Sequence, residues 1–167
     1  MISEKTRLYI FDADGTLRWT TVEGQKYPLR DDEWRLMPNV KQRLSSIHWS
    51  SDGPWLAIAS NQNGVAEGLL DEATARKLIN DMLIAALGRV PEKTLVELCV
   101  CNEQIECECR KPAPGLLLRL LRAHRLTPAE AVFIGDLPID EEAAQRAGIP
   151  FIWARDFFST PENTTDN

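Results

Sequence analysis

The sequence predicts an α/β domain built on a parallel sheet with helices on both faces. Three observations carry that expectation. Short apolar, β-prone runs recur along the chain, several of them stopping at strings rich in Asp, Asn, Ser and Gly. Between them lie stretches with the 3.6-residue spacing of amphipathic helices. The chain has 167 residues, the length of one domain at roughly 100–200 residues per domain. Strands that alternate with helices need crossover connections, which make the strands parallel and cover both sheet faces.

In chain order, residues 7–11 form a buried strand that runs into Asp12-Ala13-Asp14-Gly15-Thr16. Residues 40–47 carry a weaker helical pattern. Residues 55–59 are a second strand, ending at Ser60-Asn61-Gln62-Asn63-Gly64. Ala75, Leu78, Ile79, Met82, Leu83 and Ala86 follow helical spacing, with Asp71 as N-cap and Gly88 as terminator. Residues 95–100 are a third strand. Leu117, Leu120, Leu121 and His124 mark a helix opened by Pro114-Gly115. Thr127-Pro128-Ala129-Glu130 has capping-box spacing with Pro at the first position, so it predicts a helix start. Residues 131–134 are a fourth strand, ending at Gly135-Asp136. Residues 141–147 are helical, with Gly148 as C-cap. Residues 150–153 are a fifth strand. Residues 18–37 are long for a connection, and loops of that length are usually functional or disordered. The expected organisation is one domain over residues 1–158, with a cysteine loop at 99–109 inside it and a flexible tail at 159–167. No separate cap domain fits.

Composition narrows the partners. Hydrophobic residues make up 44% and charged residues 26%, which excludes a disordered chain or a low-complexity fibre. A chain of this length buries about two-thirds of its unfolded surface and folds without disulfides. Lys and Arg number 19 against 25 Asp and Glu, a net charge of −6. Long nucleic acids and anionic membranes are therefore disfavoured. An anionic ligand must be held by a few local cations, a metal or backbone N–H groups. No apolar run approaches the ~20 residues that span a bilayer. The first residues lack a secretory h-region and cleavage site, so the expected compartment is the cytoplasm, with reduced thiols. A monomer is expected.

Asp12 and Asp14 flank one residue directly after a strand. In an extended string their side chains point the same way, so two carboxylates converge. Such a pair binds a hard divalent cation and divides nucleophilic and acid–base work. Gly15 permits a sharp turn, and N–H groups beyond it can hold anionic oxygens. The same string also reads as an ordinary strand-terminal turn. A calcium loop is set aside, because a strand rather than a helix precedes it and no terminal Glu follows.

Phe11-Asp12-Ala13-Asp14-Gly15-Thr16-Leu17 resembles the first motif of the haloacid-dehalogenase-like (HAD) phosphohydrolases. The remaining signatures of that family recur in order: Ser60-Asn61-Gln62, Arg110-Lys111-Pro112, and Gly135-Asp136 followed by Asp140. The resemblance spans residues 7–153. Within the family, Ser60 to Ala66 and Cys107-x-Cys109-Arg110-Lys111-Pro112 resemble the branch holding D,D-heptose 1,7-bisphosphate phosphatase and histidinol-phosphate phosphatase, with polynucleotide 3′-phosphatases more distant.

The resemblance implies a Rossmann-like HAD fold and a Mg²⁺-dependent phosphomonoesterase. It assigns Asp12 as nucleophile and Asp14 as general acid, then base, with a carboxyl kept neutral by anionic neighbours. Ser60, Asn61 and the Thr16 region would contact phosphoryl oxygens or substrate, and Lys111 would lie on the transferring group. Mg²⁺ would take the Asp12 carboxylate, the Asp14 carbonyl and Asp136, with Asp140 orienting its waters. Arg18, Trp19, Trp34, Arg35 and Arg110 are candidates to read the rest of a small phosphorylated substrate. Ala13 and Leu137 stand where this branch commonly carries cations, which points to altered phosphate contacts.

All 4 cysteines of the chain fall at positions 99, 101, 107 and 109. Two short thiolate pairs suit tetrahedral Zn²⁺, and four protein ligands leave no open position, so such a site is structural. Cys101 stands where the resembled branch usually has His. His48 and His124 lie outside the cluster and read as helix residues. The leading expectation is a phosphatase of a small metabolite such as a heptose phosphate. The alternatives are a histidinol-phosphate or nucleic-acid 3′-phosphatase, and a zinc-stabilised module of the same fold without turnover.

Overall fold

A computed structural model describes residues 2–159. The strands are Leu8–Phe11 (β1), Arg18–Thr20 (β2), Trp34–Leu36 (β3), Trp55–Asn61 (β4), Leu95–Cys99 (β5), Ala131–Gly135 (β6) and Phe151–Trp153 (β7). The helices are Val40–Ser45 (α1), Asn63–Ala66 (α2), Glu72–Leu87 (α3), Gly115–His124 (α4), Pro138–Ala147 (α5) and Ala154–Phe157 (α6).

Five strands form a parallel sheet in the order β5-β4-β1-β6-β7. Period-2 alternation sorts its side chains. Leu8 and Ile10 face one side with Trp55, Ala57, Ala59 and Phe133, and α4 and α5 cover them. Phe11 faces the other side with Leu56, Ile58 and Ile134, under α1, α3 and α6. Each such buried aliphatic or aromatic side chain contributes about 1.5–3 kcal/mol. The core is thus two layers split by a sheet with no solvent face, which is why its strands read as continuous apolar runs.

Local chemistry ends the helices where expected. Asp71 Oδ1 accepts from the Thr74 N–H at 2.7 Å and starts α3. All six apolar positions picked out by spacing are buried in that helix. Gly88 closes it at φ 75°.

Four segments differ from expectation. Residues 18–37 are not an open loop: β2 and β3 pair antiparallel, with Arg18 opposite Leu36. Trp34 is buried and pins this hairpin to the core, while Trp19 stays 47% exposed. Residues 128–130 form a single 3₁₀ turn. The Glu130 carboxylate accepts from the Thr127 N–H and hydroxyl as a capping box does. No helix follows, because Ala131 already enters β6. Neither the single turn α2 nor α6 was anticipated; each is four residues long, too short to show a period. Apart from Ser159, the tail at 159–167 lies outside the described residues. No helix of the described residues is long and apolar enough to cross a membrane.

The chain leaves β1 for β4 and β5 on one side, then returns to β6 and β7 on the other. The strand order reverses beside β1, and ligands of open α/β sheets gather at the carboxyl edge of such a switch point. Over that edge lie the hairpin and the cysteine loop; no cap domain is present among the described residues.

Candidate active site

β1, β4 and β6 run in register, with Phe11 level with Ile58 and Ile134. Their next residues therefore emerge together. Asp12, Asp136 and Asp140 come within 4.8 Å of one another through their carboxylate oxygens. Lys111 reaches the same point from the segment before α4. Its Nζ lies 2.6 Å from Asp12 Oδ1 and 2.7 Å from Asp140 Oδ1, and donates to the Ala59 carbonyl at 3.0 Å.

Three carboxylates thus face one ammonium in a nearly dry pocket. Burial pushes the Asp12 carboxyl up to about 7, against the pull of Lys111, and Asp140 and Asp136 push the same way. Burial also raises Asp136, assisted by Asp140. Burial works against the Lys111 charge, but Asp12 and Asp140 more than offset it. The cluster is short of positive charge, and its donors are hard oxygens. That combination fits a divalent cation such as Mg²⁺ on Asp12 and Asp136.

The other expected residues are held close by, some in roles not foreseen. The Thr16 hydroxyl donates to Asp136 Oδ1 at 2.9 Å, so this side chain steadies an aspartate instead of facing a ligand. Asn61 is committed as well. Its Nδ2 donates to the Lys111 carbonyl at 3.1 Å and its Oδ1 accepts from the Lys111 N–H at 3.0 Å, clamping the lysine backbone. Asp140 accepts from the N–H groups of Asp136 and Leu137, capping α5, while its other oxygen meets Lys111. Ser60 is buried and accepts from Gln62 Nε2 at 2.7 Å, which leaves its own hydrogen available.

Asp14 faces a guanidinium, not the anionic neighbours expected of it. Arg18 Nε donates to its Oδ1 at 2.7 Å. Arg18 is 1% exposed and so does not read substrate. Arg35 is exposed and turned back on the Trp34 and Asp32 carbonyls. Arg110 remains at the rim, donating to Asn63 Oδ1 and Glu103 Oε1, each at 2.7 Å.

The turn after β1 also works differently from expectation. The N–H groups of Thr16, Leu17 and Arg18 all donate to the Ala13 carbonyl. Those of Ala13 and Asp14 have no partner among the described residues, so the free donors lie before Gly15. Gly15 adopts φ +92°, and a Cβ there would overlap the Asp136 carboxylate. Gly15→Ala should cost about 1–2 kcal/mol for the left-handed backbone and more for the displaced aspartate. Gly24→Ala is the control, since Gly24 has φ +76° and open space around it. Urea unfolding should show the larger loss at Gly15; equal losses would remove the contact from the explanation.

Sequence reasoning gave no role to Gln62, which bridges Ser60 and Asp14, or to Arg155. Arg155 lines a cleft of about 580 Å³ beside Asp136 and Gly15, with Met37, Pro38 and Phe158. Gln62 sits inside a quoted motif and could have been found there. Arg155 lies in the unanticipated α6, and nothing in the sequence marked it.

The cysteine loop closes on itself. Sγ atoms of Cys99 and Cys107 lie 3.7 Å apart, Cys101 and Cys109 3.5 Å, Cys107 and Cys109 3.6 Å, and Cys99 and Cys109 2.8 Å. Ligands at about 2.3 Å from a tetrahedral zinc sit about 3.8 Å from each other. Three of these four separations match that figure. Burial pushes the Cys109 thiol up to about 12 and its thiol neighbours push Cys101 up to about 11, while against burial the hydrogen bonds from Cys101 and the Arg110 backbone bring Cys107 down to about 7, so one thiolate is favoured and the others are held neutral. Thiols packed this way ionise together only around a cation.

Comparison with known proteins gives a consistent picture. The family model for polynucleotide kinase 3 phosphatase matches residues 7–158. The D-glycero-beta-D-manno-heptose-1,7-bisphosphate 7-phosphatase of Bordetella bronchiseptica is 31% identical over 147 residues, covering 85% of this chain and 76% of that protein. The enzyme of the same name from Pseudomonas aeruginosa is 29% identical over 141 residues, covering 83% of this chain and 75% of that one. A crystal structure of D,D-heptose 1,7-bisphosphate phosphatase from B. bronchiseptica, complexed with magnesium and phosphate, superposes with a TM-score of 0.74. It is 27% identical and covers 95% of this chain and 90% of that one.

Proposed function

The chain belongs to the polynucleotide kinase 3 phosphatase family, within the HAD phosphatases, and on that premise we propose a Mg²⁺-dependent phosphomonoesterase acting through an aspartyl-phosphate on Asp12. The enzyme is a phosphatase, which removes the reading as a module without turnover. The observation that carries the mechanism is Asp12 itself, at the tip of the central strand and fixed by Lys111 at 2.6 Å.

A phosphate monoester dianion repels a carboxylate, so the site must cancel charge and hold the reacting atoms in line. Bound Mg²⁺, held by Asp12, Asp136 and the Asp14 carbonyl, would supply Lewis-acid neutralisation of the phosphoryl oxygens. The Ser60 hydroxyl and the free N–H groups of Ala13 and Asp14 donate to those oxygens. An Asp12 oxygen attacks phosphorus as the bond to the leaving oxygen breaks. Asp14 gives that oxygen a proton. Asp14 then takes a proton from water, whose oxygen attacks phosphorus and releases Asp12. Lys111 keeps Asp12 aimed throughout, and Asp140 keeps Lys111 in place.

The substrate reading is a small sugar phosphate, carried by the named activity of the relatives and by an uncapped site with Arg110 and Arg155 at its margins. The family model favours one second reading, a nucleic-acid 3′-phosphate. The net charge of −6 weighs against long polyanions. A phosphate-release screen with Mg²⁺ over heptose and hexose phosphates, histidinol phosphate and 3′-phosphorylated oligonucleotides decides between them. The heptose bisphosphate is expected to give the highest kcat/KM. Preference for the oligonucleotide would replace the sugar reading, and no release from any of them would end both.

The cysteine loop is proposed to hold structural Zn²⁺. Elemental analysis should find about one zinc per chain, and a strong chelator should lower Tm, since structural zinc contributes roughly 10–16 kcal/mol of apparent binding energy. A zinc-free protein with unchanged Tm in chelator would refute the site.

A further inference from the structure

Arg18 opens β2 and is 1% exposed, the largest fully buried side chain among the described residues. Burying a guanidinium costs several kcal/mol unless its donors are paired. Here the pairing is incomplete. Nε donates to Asp14 Oδ1 at 2.7 Å and Nη2 reaches Asp14 Oδ2 at 3.5 Å, but Nη1 is buried with no partner. Among the described residues Asp14 is the one carboxylate that meets Arg18. A leucine or methionine would fill the same space without the unpaired donor. Packing and stability therefore do not account for an arginine here.

What the arginine does is hold Asp14. The two oxygens of Asp14 are not equivalent. Oδ1 has the short, aligned bond to Arg18 Nε. Oδ2 has only long contacts, 3.3 Å from Gln62 Nε2 and 3.5 Å from Arg18 Nη2. Gln62 Nε2 also donates to the Ser60 hydroxyl at 2.7 Å, so Oδ2 lies on the side of Ser60, near the end of β4. The anchor itself is rigid. The Arg18 N–H donates to the Ala13 carbonyl at 3.1 Å, and its carbonyl accepts from the Gly15 N–H at 2.7 Å, tying the start of the hairpin to the turn that carries Asp14.

We propose that Arg18 is a positioning residue that pins Asp14 through Oδ1 and presents Oδ2 as the oxygen that exchanges protons with the leaving group and with water. The inference rests on the acid–base reading of Asp14 given above. In the step it serves, the phosphorus–oxygen bond to the leaving group breaks, Asp12 gains the phosphoryl group, and the proton on Asp14 Oδ2 passes to the departing oxygen. A displacement of about 1 Å in such a group costs as much as 10²-fold in rate.

The consequence depends on the leaving group. Para-nitrophenolate departs as a stable anion and needs no proton, whereas the alkoxide of benzyl phosphate does. The test measures kcat for both esters with Mg²⁺ in the wild type, Asp14→Asn and Arg18→Met. General acid catalysis contributes about 10²–10⁴-fold, so Asp14→Asn should lose that much more on benzyl phosphate than on para-nitrophenyl phosphate. Arg18→Met should show the same selective loss, at least about tenfold, in kcat more than in KM. Residual para-nitrophenyl phosphate turnover certifies that the variant is folded. Arg18→Lys, which restores one donor, should fall between the two and serves in its place if Arg18→Met does not fold. Selective loss in Asp14→Asn but proportionate loss on both esters in the Arg18 variants would overturn the positioning role and leave the acid–base reading intact. Proportionate loss in Asp14→Asn itself would overturn both.

Discussion

Asp12→Asn should lower phosphatase turnover by roughly 10⁴-fold or more, the scale at which loss of a nucleophile is felt. An amide carries no negative charge and forms no stable phosphoryl ester, so the first bond to phosphorus is lost, not merely slowed. The variant should also remain folded, and this separates a chemical effect from a structural one. The site crowds Asp12, Asp136 and Asp140 around one lysine. Burial raises the Asp12 carboxyl to about 7 in the metal-free protein, above the value of about 3.9 expected when unfolded. Between those values the folded state binds the proton more tightly. Stability therefore falls as pH rises through that window, and an ionised Asp12 destabilises the metal-free fold at pH 8. The amide removes that penalty while Asp140 still satisfies Lys111. In chelator at pH 8, Asp12→Asn should melt at or above the wild-type temperature, and at pH 5 the gap should be smaller. Phosphate release by the variant comparable with the wild type would reject the covalent route. A large drop in Tm would instead mean that its inactivity reports unfolding.

How much of this was legible beforehand depends on the range of the interaction. Strands β1, β4 and β6 are read directly, because a sheet covered on both faces makes each strand a continuous apolar run. The residues at the ends of those strands are equally plain: Asp12 and Asp136 follow β1 and β6 at once, Ser60 is the last but one residue of β4, and parallel register brings the three strand ends to one edge. Helix α3 is visible because a face of Ala75, Leu78, Ile79, Met82, Leu83 and Ala86 spans four turns. The hairpin is hidden, since its strands are three residues each and alternation needs more residues than that to show. What lay beyond reach was pairing between side chains far apart in sequence. Asn61 looked like a ligand-binding amide and proves to clamp the backbone of Lys111, 50 positions away. Arg18 reads from sequence as a candidate substrate contact, and only the fold shows it buried against Asp14. Residue type told which chemistry was present; the partner of each group had to come from three dimensions.

Lys111→Met should damage stability and turnover together, and the two losses should separate under a second substitution. Lys111 is 4% exposed and is the cation between Asp12 and Asp140. Removing one member of a buried ion pair costs about 3–5 kcal/mol, because the partner is left charged and dry. Here two carboxylates are left facing each other, with Asp136 beside them. They respond by holding protons, so the folded variant binds more protons than its unfolded chain from about pH 4 upward. Its deficit relative to wild type should therefore be small at pH 5 and largest at pH 8, as read by urea unfolding in chelator. Asp140→Asn should repair part of that loss. The amide oxygen can still accept from the N–H groups of Asp136 and Leu137 that Asp140 now caps, while one of the opposed charges disappears. Turnover should not return in the double variant, because no ammonium then fixes the Asp12 oxygen it now holds; the loss should stay at about 10²–10³-fold or more, the scale of one preorganised electrostatic contact. Recovery of both properties together would make the lysine a purely structural counter-ion. Recovery of stability alone would separate its two duties, neutralising buried carboxylates and holding the nucleophile.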